Sequence, residues 1–262
     1  MKNLFLKQYP RTAVMLAWRD IQGRIKGTWL GFLWLIIQPL ALLLVYTFVF
    51  STILQVRFDI QGSTASFALY LFAGLLPFTA FQDSLIRSST LLSDNRELLT
   101  KSTLPAGLLI SSILFSTLFI ELIGLVILVI FALYQNSLSA FYFLLFMPFL
   151  LFSRLIITLV LALISSLISV FIRDFPPLLA MLLTMLFFAT PIIYPESMVP
   201  EAYHWVIDYN PLAILINAYR HILFENSLPD GEFYLITGIF LFCLLLLLPY
   251  YERIVNRLKD FI

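Results

Sequence analysis

Only 12% of the 262 residues in this chain carry a charge, so the few ionisable side chains mark the first places to look for chemistry. Two of them, Glu121 and Arg154, stand deep inside long apolar stretches, where an unpaired charge costs at least about 3 kcal/mol. Counted inward from apolar limits at 104 and 171, both lie about 17 residues deep. Antiparallel neighbours would bring them level, so the spacing predicts an intramembrane ion pair with a structural role; an Arg154 facing a polar conduit is the functional alternative. A second group is basic. Arg11, Arg19, Arg24 and Lys26 crowd in just ahead of the first apolar stretch, either as ordinary membrane anchors or as a cluster that attracts an anionic phosphate headgroup.

What the chain lacks is equally informative. None of its nine glycines is followed by lysine, so it has no P-loop, and any ATP must be hydrolysed by another polypeptide. His204 and His221 have neither an HExxH pattern nor cysteine partners, and no metal site is expected. A membrane-embedded hydrolase or transferase needs converging acid and base groups, and no dense cluster of that kind is present. The single cysteine, Cys243, excludes an intrachain disulfide.

The elements that must position these residues are membrane spans. The chain is 61% hydrophobic with mean hydropathy +0.97, and a helix rising 1.5 Å per residue needs about twenty apolar residues to cross a bilayer. Six segments qualify: 29–56, 65–91, 104–134, 143–171, 177–195 and 233–251. Of sixteen Lys and Arg, only Arg57, Arg154 and Arg220 fall outside the segments 1–28, 87–104, 172–176 and 250–262. By the positive-inside rule this places both termini in the cytosol. The opening MKNLFLKQYPRT has no continuous apolar region or cleavage site, and it does not read as a secretory signal. A single transmembrane domain over 1–262 is expected.

Before the first span, residues 11–27 put Val14, Trp18, Ile21 and Ile25 on one helical face with Arg11, Arg19, Gln22 and Lys26 opposite. That is the pattern of a helix lying in the headgroup plane. Gly23, Gly27 and Gly31 recur every fourth residue, as an elbow in preference to a glycine packing seam. Gln38 and Pro39 interrupt the first span and Pro77 the second, while Asp83 and Arg87 form an i, i+4 pair. In SDNRELLTKS, residues 93–102, Asp94 and Glu97 have capping-box spacing, which predicts a short polar helix before Pro105 opens the third span. Between the last two spans, five prolines at 191, 195, 200, 211 and 229 exclude one long helix. Asn210 and Pro211 are a good cap and first position, and a helix over 211–224 of about 21 Å is too short to cross. Two short helices that dip into the outer leaflet or lie on it, as a re-entrant element shielded by protein, are expected there. Aromatic residues make up 16% of the chain; most serve the interfacial belt, and a minority could stack on sugar rings in a conduit.

The basic amphipathic helix, "WRDIQGRIKGTWLGFLWLIIQPL" at 18–40, "IRDF" at 172–175, "TPIIYP" at 190–195 and "NPLAILINAYR" at 210–220 together resemble the type-2 ATP-binding-cassette exporter permeases for polysaccharides, the Wzm-like subunits that export O-antigen, capsule or teichoic acid. The motifs occur in family order across nearly the whole chain; Arg154 is not part of the pattern.

The resemblance implies an all-α membrane protein: six transmembrane helices, an N-terminal interface helix at 11–27, a coupling helix at 93–102 and periplasmic gate helices at 196–226 before the last span. It implies a homodimer in the bacterial inner membrane, bound to two copies of a cytosolic ATPase that carries the ATP and magnesium, with no cofactor in this chain and no nucleic-acid partner. Membrane lipid and a lipid-linked glycan are the implied ligands. The coupling contacts would be Asp94, Asn95, Arg96 and Glu97, and the gate would include Tyr194, Asn210, Pro211 and Arg220. Two other readings remain at this point: an exporter of a small lipophilic compound with the same architecture, and a secondary transporter, for which only Gln38, Glu121 and Arg154 offer midplane polar groups.

Overall fold

A computed structural model describes residues 10–53, 64–101, 104–134, 140–225 and 227–258. The opening nine residues, the end of the expected first span with Arg57, Ser102 of the expected coupling helix and Asn226 of the gate range lie outside the described residues. All the regular structure among those described is helical. It comprises α1 (Pro10–Ile25), α2 (Trp34–Thr47), α3 (Thr64–Asp94), α4 (Arg96–Lys101), α5 (Ala106–Tyr134), α6 (Ala140–Phe171), α7 (Phe175–Ala189), α8 (His204–Asp208), α9 (Pro211–Arg220) and α10 (Gly231–Leu258).

Four of these helices, α3, α5, α6 and α10, are long and apolar enough to cross a membrane. Two more apolar helices are shorter: Gly31–Thr47, which includes α2, and α7. The expected spans at 65–91, 104–134 and 143–171 agree with α3, α5 and α6 to within a few residues. The fifth does not. It was expected to reach 195, yet α7 stops at Ala189 because Thr190 is extended (φ −95°, ψ 133°), the conformation that a residue preceding proline is pushed toward. The last helix instead runs on to Leu258.

The bundle is organised around α3, which packs against α2, α5, α6, α7 and α9. In its most apolar window 78% of residues are buried, against 17% for α10 at the periphery. At 31 residues, α3 is about 46 Å long and exceeds a hydrocarbon slab of about 30 Å; α4 follows its C-terminal end. Because lipid provides no hydrophobic drive between helices, hydroxyl contacts help to specify the packing. Ser84 and Thr117 join α3 to α5 at 2.8 Å, Ser153 and Thr237 join α6 to α10 at 2.7 Å, and Ser166 meets Tyr251 at 3.0 Å. At the start of α5 the Gly107 amide donates to the Glu252 carboxylate of α10 at 2.7 Å, an acid at a helix N-terminus where the dipole favours it.

Helix α1 packs along α5 through Ala13, Ala17 and Ile21, all nearly fully buried, while Val14 and Trp18 are at least half exposed. Small residues at i, i+4 spacing, with Ile21 beside them, let α1 approach α5 closely, while Val14 and Trp18 of the expected apolar face point away from the bundle. The glycine elbow lies where it was expected. Gly27 and Gly31 have φ of 78° and 51°, a left-handed conformation that side chains resist, and the chain turns from α1 into α2 through them.

Candidate functional site

Glu121 on α5 and Arg154 on α6 form a salt bridge with no exposed side-chain surface on either partner. Equal depth on antiparallel helices brings them together, as the count from the two helix ends predicts. The sequence does not reveal a third member. The Tyr219 hydroxyl, from the short helix α9, donates to the other Glu121 oxygen at 3.5 Å.

Helix α9 is built from the Asn-Pro start. The Asn210 side chain accepts from the Leu212 amide at 3.0 Å, capping the helix, and donates to Thr190 at 2.8 Å. Pro211 occupies the first turn, where its missing N–H costs nothing. Seven of its ten residues are buried, packed on α3, α6 and α10, so its polar backbone is shielded by protein as expected. Arg220 fastens it: the guanidinium donates to the carbonyls of Pro191 at 2.6 Å and Ile192 at 3.0 Å and lies 3.5 Å above the Tyr70 ring of α3. A Cβ at Gly74 would meet both Arg220 Nη2 and Ile216 Cγ2 at 3.1 Å, so glycine there permits the close approach. Tyr194 is tied to the end of α7, donating to the Phe188 carbonyl at 2.8 Å.

At the opposite end of α3, four charges from two helices interlock. Arg24 of α1 reaches Asp83 of α3 at 2.5 Å and approaches Asp20 at 3.7 Å. Arg87 of α3 returns the contact to Asp20 and lies 3.9 Å from Asp83. The Ser116 hydroxyl of α5 also donates to Asp20. Burial alone would raise the Asp20 pKa, but hydrogen bonds from Arg87 and Ser116, together with the charges of Arg87 and Arg24, outweigh it and hold the carboxyl below its ordinary value. The expected i, i+4 surface pair Asp83–Arg87 is thus one side of a neutral four-charge lattice. Arg24 is engaged by two carboxylates, whereas Arg11, Arg19 and Lys26 are exposed and form no ion pair among the described residues. The signal for the lattice was present in the sequence as two acid–base pairs of the same order and spacing, "DIQGR" and "DSLIR".

The short helix α4 begins at Arg96. Asp94 ends α3 and does not cap α4, which corrects the capping-box expectation; Asn95 forms the joint, its side chain donating to the Leu91 carbonyl at 2.9 Å. Arg96 and Glu97 are exposed, Leu99 is buried as the anchor, and Glu97 pairs with Lys101 at 3.2 Å. Among the described residues no group of three or more His, Cys, Asp or Glu could hold a metal ion.

The arrangement therefore has two polar centres, one inside the apolar bundle against the short helix α9 and one where the amphipathic helix α1 meets the C-terminal half of α3. The family model for the ABC-2 type transporter matches residues 12–224, from α1 to just beyond α9. The O-antigen export system permease protein RfbA of Myxococcus xanthus is 31% identical over 229 residues, covering 87% of this chain and 85% of the relative. The protein of the same name from Klebsiella pneumoniae is 26% identical over 232 residues, covering 87% and 86%. The polysialic acid transport protein KpsM of Escherichia coli is 26% identical over 229 residues, covering 84% of each. With the family model spanning most of the chain and relatives matched nearly end to end, this chain belongs to the ABC-2 type transporter family of multi-pass membrane permeases.

Proposed function

We propose that this permease is the conduit-forming subunit of an ATP-driven exporter that moves a lipid-linked polysaccharide of the O-antigen type across the bacterial inner membrane. As an ABC-2 permease it works with a separate ATPase subunit. In the proposed assembly two copies of this chain provide the conduit between them and two ATPase copies bind below. Each copy crosses six times, α2 and α7 completing the set with α3, α5, α6 and α10, and both termini are cytosolic. The relatives support the substrate class, since their names concern O-antigen and polysialic acid export.

The observation that carries the mechanism is that α3 connects every part that has to move. Its protruding end continues into α4, where exposed Arg96 and Glu97, beside Asp94 and Asn95, offer the ATPase a contact. Asp83 and Arg87 bind it to α1, and Tyr70 and Gly74 hold Arg220 of the gate helix α9. A push on α4 or α1 is delivered through one packed rod to the other end of the bundle. Arg11, Arg19 and Lys26 are free to meet an anionic diphosphate headgroup as the substrate enters.

The test is reconstitution with the partner ATPase in vesicles. Reversing charges with Arg96→Glu and Glu97→Lys should leave assembly intact and ATP hydrolysis running while export falls by about tenfold or more; unchanged coupling would remove α4 from its role. Neutralising Arg11, Arg19 and Lys26 together should lower export with the complex still assembled, and unchanged export would discard the entry site.

A further inference from the structure

Between α2, α3 and α5, next to the elbow, is a cleft of about 710 Å³, within the range of small-ligand sites. It is bounded by Arg24 of α1, Thr28 of the elbow, and residues of α2, α3 and α5. Its lining is divided. Trp34, Leu42 and Leu76 give an apolar side, and Gln38, Gln82 and Thr117 a polar one. Neither glutamine amide has a hydrogen-bond partner among the described residues; Gln38 is exposed on the apolar α2 and Gln82 is half-buried beside Asp83 on α3, so both amides can turn to a ligand.

The charge at the site decides what can fill it. The three ionisable side chains of the lining are Arg24, Asp83 and Glu121. Arg24 is already bound by Asp83 and Asp20, and Glu121 by Arg154. A phosphate would therefore find no free cation and would stand near carboxylates. The two amides both donate and accept, which matches sugar hydroxyls, and the Trp34 ring can stack on a sugar's C–H face while acyl chain runs along Leu42 and Leu76. We propose that this cleft binds the head of an uncharged glycosyl lipid, as a site separate from the conduit and from the basic face of α1.

The test uses the whole permease in detergent and needs neither ATPase nor export, so it can fail while the transport reading stands. With Trp18, Trp29 and Trp205 replaced by Phe, Trp34 reports alone. The probes are monoglucosyl diacylglycerol and phosphatidylglycerol, each with brominated chains. Expected is saturable quenching by the glucosyl lipid, about tenfold tighter than by the anionic lipid, with that preference lost in Gln38→Leu/Gln82→Leu. These substitutions remove amides that hold nothing else in place, and an unchanged melting temperature verifies that the fold persists. Equal quenching by both lipids, tighter binding of the anionic one, or a preference that survives the double variant would each overturn the proposal.

Discussion

The two polar centres of this permease use the same residue chemistry in opposite ways. The Glu121–Arg154 bridge is wholly buried, is reached by one further hydroxyl from Tyr219, and joins two long helices of the bundle. The Asp20–Arg24–Asp83–Arg87 lattice keeps between 19% and 36% of each side chain exposed and joins a surface helix to the central one. In a low-dielectric interior, a charge pair is weak as a source of net stability but severe when broken, because the survivor has nowhere to go. At a wet edge the loss of one partner is softened by water. The first centre is suited to fixing a position, the second to holding two parts that must shift together without locking them.

Breaking the deep centre should have the largest effect. Arg154→Leu strands Glu121 and should cost about 3–5 kcal/mol, read as a marked fall in melting temperature; Glu121→Leu/Arg154→Leu together should melt closer to the parent than either single variant. If the double variant is no better, the bridge is not a balanced pair. Asp20→Asn removes the acceptor shared by Arg87, Arg24 and Ser116 and should cost only about 1 kcal/mol, yet amide exchange in α1 should accelerate while α5 and α6 remain protected. Uniform acceleration would show that the two centres are not separable.

Acid sharpens the same contrast. Asp20 has a folded pKa below its ordinary 3.8, so its contribution is complete above the unfolded value of about 3.9 and is lost as pH falls through the lower folded value. Protection of α1 should be the same at neutral and mildly acidic pH, decline only below about pH 4, and show no such step in Asp20→Asn. The smallest stability effect belongs to the charge reversal at Arg96 and Glu97, both exposed and therefore within about 0.5 kcal/mol of the parent, although it should affect coupling strongly.

The deep pair was legible because depth can be counted along an apolar helix, and the limits of α3, α5 and α6 because hydropathy changes abruptly there. The lattice was not, since Arg24 and Asp83 are 59 residues apart and Arg87 and Asp20 are 67 apart; spacing showed each helix's own pair but not how two such pairs interlock. The bundle-facing side of α1 was not legible for a related reason. Amphipathic spacing marks the large apolar side that can meet lipid, but not the neighbouring small-residue strip of Ala13 and Ala17 that packs on α5. Tyr219 went unnoticed because nothing local ties a residue of the short helix α9 to a carboxylate 98 positions earlier.

The early stop of α7 has a physical consequence for the surrounding bilayer. Fifteen residues span about 22 Å, some 8 Å less than an average hydrocarbon core, so an α7 that crosses as proposed must draw the headgroups toward it. The lipid would be pinched beside the Thr190–Tyr194 turn, and a hydrated polymer leaving there would face a thinner oily barrier than elsewhere around the molecule.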